Sequence, residues 1–264
     1  MTKIMGILNT TPDSFYDGGR YNNLEKAVER GLEIEQEGAD YIDVGGESSR
    51  PGSSPISAKD EIERVIPIIQ KLSKKISIPI SIDSYKFEVI EKAFDAGASF
   101  INDITGLINE KTRKLAAEND LEVCIMHMKD NPLIMQKNPT YKNVTKDVYN
   151  FLKERIATAI KDGISKNKIY LDPGIGFGKT TNQNWELLNS ISKFKRLGKV
   201  LVGVSRKSFI GKRFGSEQNP LPVEQRLEGS LEIAGLCAKQ GVDILRVHDV
   251  KETKNFLFKR MERN

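Results

Sequence analysis

Cysteine is nearly missing from this chain. Cys124 and Cys237 are its only two in 264 residues, far apart and outside any metal-ligand spacing such as CxxC. A disulfide scaffold is thereby excluded, and the pair reads as reduced core thiols of a cytoplasmic protein. No apolar run approaches the roughly 18 residues that a membrane helix needs. The start, Met1-Thr-Lys-Ile-Met-Gly-Ile-Leu-Asn9, is too short and too soon polar for a signal peptide. There is no Lys/Arg block either. The 41 basic and 36 acidic residues give +5 (41 − 36), spread along the chain, which argues against nucleic acid and leaves small anionic ligands open. No Pro/Gly/Ser-rich linker divides the sequence, so residues 1–264 are expected to form a single domain, and 38% hydrophobic residues suffice for its core.

What is present is alternation. Short aliphatic runs at Ile4–Leu8, Tyr41–Val44, Pro79–Ile82, Phe100–Ile101, Glu122–Met126, Lys168–Leu171, Lys199–Val204 and Ile244–Val247 read as strands buried on both faces. Between them lie stretches with helical period, such as Leu24, Ala27, Val28, Gly31 and Leu32, and again Leu227, Leu231, Ala234 and Ala238. Gly38-Ala-Asp40, Gly97-Ala-Ser99 and Gly241-Val-Asp243 each close a helix and open a strand, as a weak internal repeat. Eight units in 264 residues make 33 per unit (264 / 8), the length of a strand, a helix and two short connections. The fold class expected is therefore α/β, a (β/α)₈ TIM barrel, with an open doubly wound sheet as the alternative.

The polar residues fall at the carboxyl ends of these strands. The first runs into Asn9 and Thr10 to Gly19, the second into Gly45 to Gly52, and the third ends in Asp83. The fourth ends in Asn102-Asp103, the fifth in His127, the sixth in Asp172 to Lys179, the seventh in Ser205 to Ser208, and the eighth in Arg246-Val-His248-Asp249. In a barrel all these ends share one face, where barrel enzymes build their sites. Each residue also has a structural role open to it. Asp83 can cap a helix beginning near Ser84, Asn102 and Asp103 can bond turn amides, and Asp172 can hold a Pro-Gly turn. Arg246 can pair with Asp43 or Asp172, His127 can be a packed core histidine, and His248 can be a turn residue. Independent structural roles would not all choose the same face, so the convergence favours a site.

The glycine run Gly174-Ile-Gly-Phe-Gly178-Lys179 is not a nucleotide motif. The Walker spacing needs glycine at position 173, which is Pro173, and the dinucleotide fingerprint needs it at 179, which is Lys179. The glycines are better suited to letting backbone approach a flat ligand.

Taken in order, MGILN, TPDSF, DGG, DVGGES, RPG, SIDS, INDI, MHM, LDPGIGFGK, SRKS and RVHD resemble the dihydropteroate synthase family from about Ile4 to Val250. The resemblance implies a folate-pathway transferase. In that reaction 4-aminobenzoate displaces diphosphate from (7,8-dihydropterin-6-yl)methyl diphosphate, in an SN1-like, Mg²⁺-assisted step that gives 7,8-dihydropteroate. Carried onto this chain, the family's pterin pocket falls on Asp83, Asn102, Asp172 and Lys207, with Phe177 near the entrance. The diphosphate would lie against Ser49, Arg246 and His248. Asn9 corresponds to the family's Mg²⁺ ligand, with Asp17 acting through water. Phe15, Arg50, Pro51, Lys207 and Ser208 would surround the aminobenzoate. The catalytic set implied is Asp83, Lys207, Arg246 and His248.

The resemblance also implies a homodimer formed by outer helices, and inhibition by sulfonamides that compete with aminobenzoate. Two residues depart from the family pattern: Ser49 stands where threonine is usual, and Thr10 where valine is usual. The chain opens almost directly on its first strand, where many family members carry a short extension. If a segment has been removed, the lower end of the barrel is expected to be less well plugged. Two alternatives have other signatures. A barrel transferring methyl from a folate to a corrinoid would share the pterin pocket but lack the Thr11–Phe15 loop and the Ser205–Ser208 run. A non-catalytic pterin binder would have lost Asn9, Arg246 or His248.

Overall fold

A strand buried on both sides of a closed sheet must satisfy two different environments, and in this chain it does so residue by residue. The computed structural model of the chain describes residues 2–10, 20–50 and 52–261. Its strands are β1 (Lys3–Asn9), β2 (Tyr41–Gly45), β3 (Ile80–Asp83), β4 (Phe100–Asp103), β5 (Glu122–Met126), β6 (Ile169–Asp172), β7 (Lys199–Gly203) and β8 (Ile244–Val247). All neighbours are parallel, and β1 pairs with both β2 and β8, closing the barrel. Alternation with period two then divides the side chains into two clusters. Ile42, Val44, Ile82, Ile101, Val123, Leu171, Val200 and Leu245 belong to the large shell between barrel and helices. Met5, Tyr41, Phe100, Cys124, Tyr170, Leu201 and Ile244 form a separate cluster of buried residues.

That second cluster is the barrel's filling. Phe100 stacks edge-on to Tyr41 at 5.6 Å and tilted against Tyr170 at 5.4 Å. A poorly plugged lower end is therefore not what the chain has. Both thiols are buried, and burial pushes Cys237 up to about 12 and Cys124 well above the ordinary thiol value, so neither is a reactive thiolate.

The helices are α1 (Arg20–Gln36), α2 (Ala58–Leu72), α3 (Phe87–Asp95), α4 (Glu110–Glu118), α5 (Val144–Lys161), α6 (Thr181–Asn189), α7 (Ile191–Phe194), α8 (Ser208–Phe214), α9 (Leu227–Lys239) and α10 (Val250–Met261). Side-chain caps from Ser57, Asn109, Asn143 and Thr180 start α2, α4, α5 and α6. The stripe expected on α1 is present, with Ala27 and Val28 sealed and Leu24 and Leu32 packed on the shell. On α9 the stripe is rotated. The buried face carries Ser230, Ile233, Ala234 and Cys237, with Leu227, Leu231 and Ala238 only partly covered. Small residues let the helix lie close to the barrel, and the Ser230 hydroxyl reaches the Arg206 amide at 2.9 Å. No described helix is long and apolar enough to cross a membrane.

Candidate active site

Strand ends deliver the charged cluster. β3, β4 and β6 run on to include Asp83, Asn102-Asp103 and Asp172, while Pro79 lies outside β3. Asp43, Asp83 and Asn102 share the inward register of β2, β3 and β4, with Gly45 opposite Asp83 and Gly203 opposite Arg246. Those two positions carry no side chain, and the space is taken by the Asp83 carboxylate and by Lys207 and Arg246. Arg246 is the hub. Its Nε donates to Asp43 Oδ2 at 2.5 Å and its Nη2 to Asp83 Oδ2 at 2.7 Å. Asn102 Nδ2 donates to the same Asp43 oxygen at 3.0 Å, and Asp43 is 0% exposed. Its other oxygen, Oδ1, is buried without a hydrogen-bond partner, so the cluster carries an unspent acceptor.

Burial dominates the titration here. It pushes Asp83 up to about 7, against the pull of Arg246 and with the push of Asp43. It also raises Asp172, against the pull of Lys207. Lys207 is moved the other way by the same cause, down to about 8, although Asp172 favours its charge. Asp103, at the foot of the fourth loop, is pushed up to about 6 by burial. It does bond turn groups, accepting from the Thr105 amide and hydroxyl at 2.7 Å. Asp83, by contrast, caps nothing: α3 begins at Phe87 rather than near Ser84, because Ser84 Oγ takes the Lys86 amide.

The glycine run after β6 is a compact loop wrapped on a lysine. Asp172 Oδ1 accepts from the Gly174 amide at 2.7 Å, the turn role open to it, while the residue stays 5% exposed. Gly174 and Gly176 have φ of +69° and +86°. A Cβ on Gly174 would stand 1.8 Å from the His127 carbonyl oxygen, and one on Gly176 3.1 Å from Lys207 Cδ, so neither accepts a side chain. Lys207 Nζ donates to the Ile175 carbonyl at 2.5 Å and lies 4.6 Å from the centre of the Phe177 ring. Phe177, Lys207 and Asp172 thus line one side of the mouth. Ser208 opens α8 as an exposed residue beside them.

On the other side, the His248 amide donates to Ser205 Oγ at 3.2 Å, and Nδ1 lies 3.1 Å from the same oxygen. The hydroxyl proton remains free to point at Nδ1, which orients the ring. Burial and then Arg246 hold the imidazole down to about 4, so it is neutral, and with the hydroxyl donating to Nδ1 its proton sits on Nε2, facing the mouth. Arg206 is tied to Asp249 by two bonds of 2.8 and 2.7 Å and so stands apart from the mouth. The second loop rests on a clamp in which Lys86 Nζ lies 2.5 Å from both Glu47 and Glu61. From that base project the half-buried Ser49 and the exposed Arg50, whose charge reaches His248.

Asn9 ends β1 opposite Gly45. Thr10, whose departure from the family pattern has no evident chemistry in the sequence, donates from Oγ1 to the Gly45 carbonyl at 3.1 Å. Phe15, Asp17 and Pro51 lie outside the described residues. Among the described residues no three His, Cys, Asp or Glu side chains gather as a metal cluster. A single amide oxygen from Asn9 fits Mg²⁺ only in the sparse way that ion accepts, with water and phosphate oxygens completing its shell.

The structure therefore brings Asp83, Asn102, Asp172, Phe177, Lys207, Arg246 and His248 to one end, with Asn9, Ser49, Arg50 and Ser208 on its rim. Sequence reasoning left out three contributors. Asp43, expected only as an ion-pair partner, anchors the hub; its place two residues below Gly45 on the inward period is the available signal. Ser205 sets the His248 tautomer. Lys179 is buried in the glycine loop.

Such a mouth, with carboxylates and an amide deep inside and a guanidinium, an ammonium and an imidazole around them, defines a barrel enzyme acting on a polar heterocycle that carries an anion. The sequence matches the family described as pterin binding enzyme over residues 5–248. It is 47% identical over 255 residues to a dihydropteroate synthase of Clostridium beijerinckii, covering 95% of this chain and 90% of that one. The Xanthomonas albilineans dihydropteroate synthase solved with 4-aminobenzoic acid superposes with a TM-score of 0.91 at 40% identity, covering 99% and 92% of the two chains. The same organism's enzyme in complex with 7,8-dihydropteroate gives 0.87 at 38% identity, covering 99% and 93%. The chain belongs to the pterin binding enzyme family and, within it, to the dihydropteroate synthases, which are transferases.

Proposed function

We propose that this barrel condenses (7,8-dihydropterin-6-yl)methyl diphosphate with 4-aminobenzoate, giving 7,8-dihydropteroate and diphosphate in folate biosynthesis. The observation that carries the reading is the hub itself: Arg246 held between Asp43 and Asp83 at the bottom of a mouth lined by Asn102, Asp172 and Lys207. A pterin edge offers ring N–H, amino and carbonyl groups. The carboxylates of Asp83 and Asp172 accept from the first two, and Asn102 and Lys207 donate to the rest. Phe177 packs near the ring.

Two of the Arg246 N–H groups are taken by carboxylates, and the remainder are available to diphosphate together with His248 Nε2–H and the Ser49 hydroxyl. The C–O bond to diphosphate breaks first, and its electron pair leaves with the phosphate oxygen onto these donors. Asp83, close to the developing pterin cation, offsets its charge. The aniline nitrogen then forms the C–N bond and gives its proton to water, and needs no strong base because it is already nucleophilic. Mg²⁺, held by Asn9 and by Asp17 through water, would neutralise diphosphate charge when bound. Arg50, Lys207 and Ser208, with Phe15 and Pro51, would hold the aminobenzoate carboxylate and ring.

Purified protein should release diphosphate only with both substrates and Mg²⁺, and a sulfonamide should compete with aminobenzoate. Equal release without aminobenzoate would overturn the reading. A homodimer is part of the same proposal, supported by Phe214 and Phe258, which stand 49% and 58% exposed on the outer helices α8 and α10. Light scattering on the eluted protein tests it.

A further inference from the structure

Lys179 is 2% exposed, and its ammonium is enclosed by acceptors. Nζ lies 2.8 Å from the Gly174 carbonyl, 2.9 Å from the Phe177 carbonyl, 3.0 Å from His127 Nδ1 and 3.3 Å from the His127 carbonyl. Burial pulls Lys179 well below the ordinary lysine value, but the three carbonyl oxygens around Nζ can only accept and match the three N–H bonds of an ammonium. His127 Nδ1, facing the same nitrogen, then accepts too, and the imidazole is neutral with its proton on Nε2. The ring is fixed from behind by Phe151, perpendicular at 5.0 Å, and by Tyr141 at 6.1 Å. Lys179 thus grips both ends of the turn that carries Phe177 and ties it to the end of β5. The carbonyl of Ile175, inside that turn, is the one that Lys207 holds.

We propose that Lys179, set by His127, is the positioning residue of the pterin pocket: it fixes the 174–178 turn so that Phe177 packs near the ring while Lys207 and Asp172 meet its polar edge. The proposal rests on the reading of this mouth as a pterin site. A second feature fits it. Lys179 and Lys207 both favour the charged form of Asp172, so the buried ammonium backs the carboxylate that receives the pterin amino edge. A buried charge is costly unless its donors are all met. Here the acceptors come from the turn itself, so the lysine is sealed only while the turn keeps this shape.

The test compares Lys179→Met, which keeps the stem and removes the charge, with His127→Leu and His127→Gln, of which the second retains an acceptor. The probe is 6-hydroxymethylpterin, titrated by its fluorescence, with the KM for each substrate measured alongside. Lys179→Met and His127→Leu should weaken pterin binding by about tenfold or more, as loss of charge-assisted hydrogen bonds implies. The KM for 4-aminobenzoate should stay within about twofold, and His127→Gln should restore pterin affinity to within about threefold of wild type. If Lys179→Met does not fold, the two His127 variants decide. Unchanged pterin affinity in Lys179→Met and His127→Leu, or equal rises in both KM values, would show a merely structural lysine and overturn the proposal. Wild-type protein that ignores the pterin overturns the parent reading and this one with it.

Discussion

The two ends of the barrel use the same kinds of side chain to opposite effect. At the lower end Lys3 Nζ lies 3.2 Å from the Tyr41 hydroxyl and 5.1 Å above its ring, and that hydrogen bond raises its pKa. Tyr170 donates to Glu122 at 3.1 Å, and Lys199 lies 4.9 Å over the Tyr170 ring. Polar heads there reach the rim, and their stems and rings close the barrel. At the upper end Lys207 is driven down to about 8 by burial, and Asp83 up to about 7 by the same cause. Asp43 keeps a buried oxygen without a partner. The lower end has satisfied its charges; the upper end holds charges whose partners are meant to arrive. That difference marks which face binds and which face stabilises.

The largest effect should come from removing the hub. Arg246→Met leaves Asp43 and Asp83 facing each other without a cation, and breaking such a buried pair costs about 3–5 kcal/mol. Turnover should fall by at least ~10²-fold, as for loss of a group that stabilises leaving-group charge. Adding Asp43→Asn should return part of the melting temperature and none of the turnover. A single variant that melts like wild type would show that the upper cluster is not the strained one.

Lys207→Ala comes next. Its activity should collapse by about 10²-fold while circular dichroism stays native. Stability should change in the opposite sense. The lysine titrates lower in the fold than in the unfolded chain, so its burial cost is fully present below about pH 8 and fades as pH rises towards the ordinary lysine value. The variant should therefore melt higher than wild type at pH 7, with the gain shrinking by pH 10. Lower stability at pH 7 would place Lys207 with the satisfied lysines of the other end.

The wild-type profile of kcat/KM should form a narrow bell. It rises as Asp83 ionises near pH 7 and falls as Lys207 loses its proton near pH 8. Asp83→Asn should lower kcat more than pterin affinity and erase the acidic limb. A limb that survives belongs to another group. Folding carries the reverse sign at this carboxyl: because its value is raised in the fold, its contribution to stability declines as pH climbs from about 4 to about 7.

How far these features could be read from the residues follows from their periods. The eight strands are short apolar runs, and each was placed to within a few residues because a barrel strand has no solvent face to blur it. The runs stop one or two residues short of the strand ends, since Asn102 and Asp172 look like loop residues until the register aims them inward, while Asp103 beside Asn102 faces the helix side. Of the α9 stripe only Ala234 is buried, because leucines suggest burial whereas Ser230, Ile233 and Cys237 are what join it against the barrel. Site members at strand ends were legible from their convergence. Lys179 and the Ser205–His248 pair were not, because their roles depend on a turn folding back, and no sequence period records that. Asp43 sat on the correct period yet lacked any signal that its second oxygen would stay unpartnered.

The comparison is sharpened most by the smallest expected change. Lys3→Met removes a cation that sits at the rim, with its ammonium on a phenol and over its ring. Solvent screens such a contact, so the loss should be under about 1 kcal/mol. Because the Lys3 value is raised in the fold, that contribution is complete at neutral pH and disappears as pH climbs through it. The methionine stem still covers the Tyr41 ring, so both KM values and the turnover should match wild type. The pH profile should keep its two limbs in place. A shift of either limb in Lys3→Met would mean that charge at the lower end is felt at the upper one, through the stack of Tyr41, Phe100 and Tyr170. The two ends would then be one electrostatic system instead of a plug and a site.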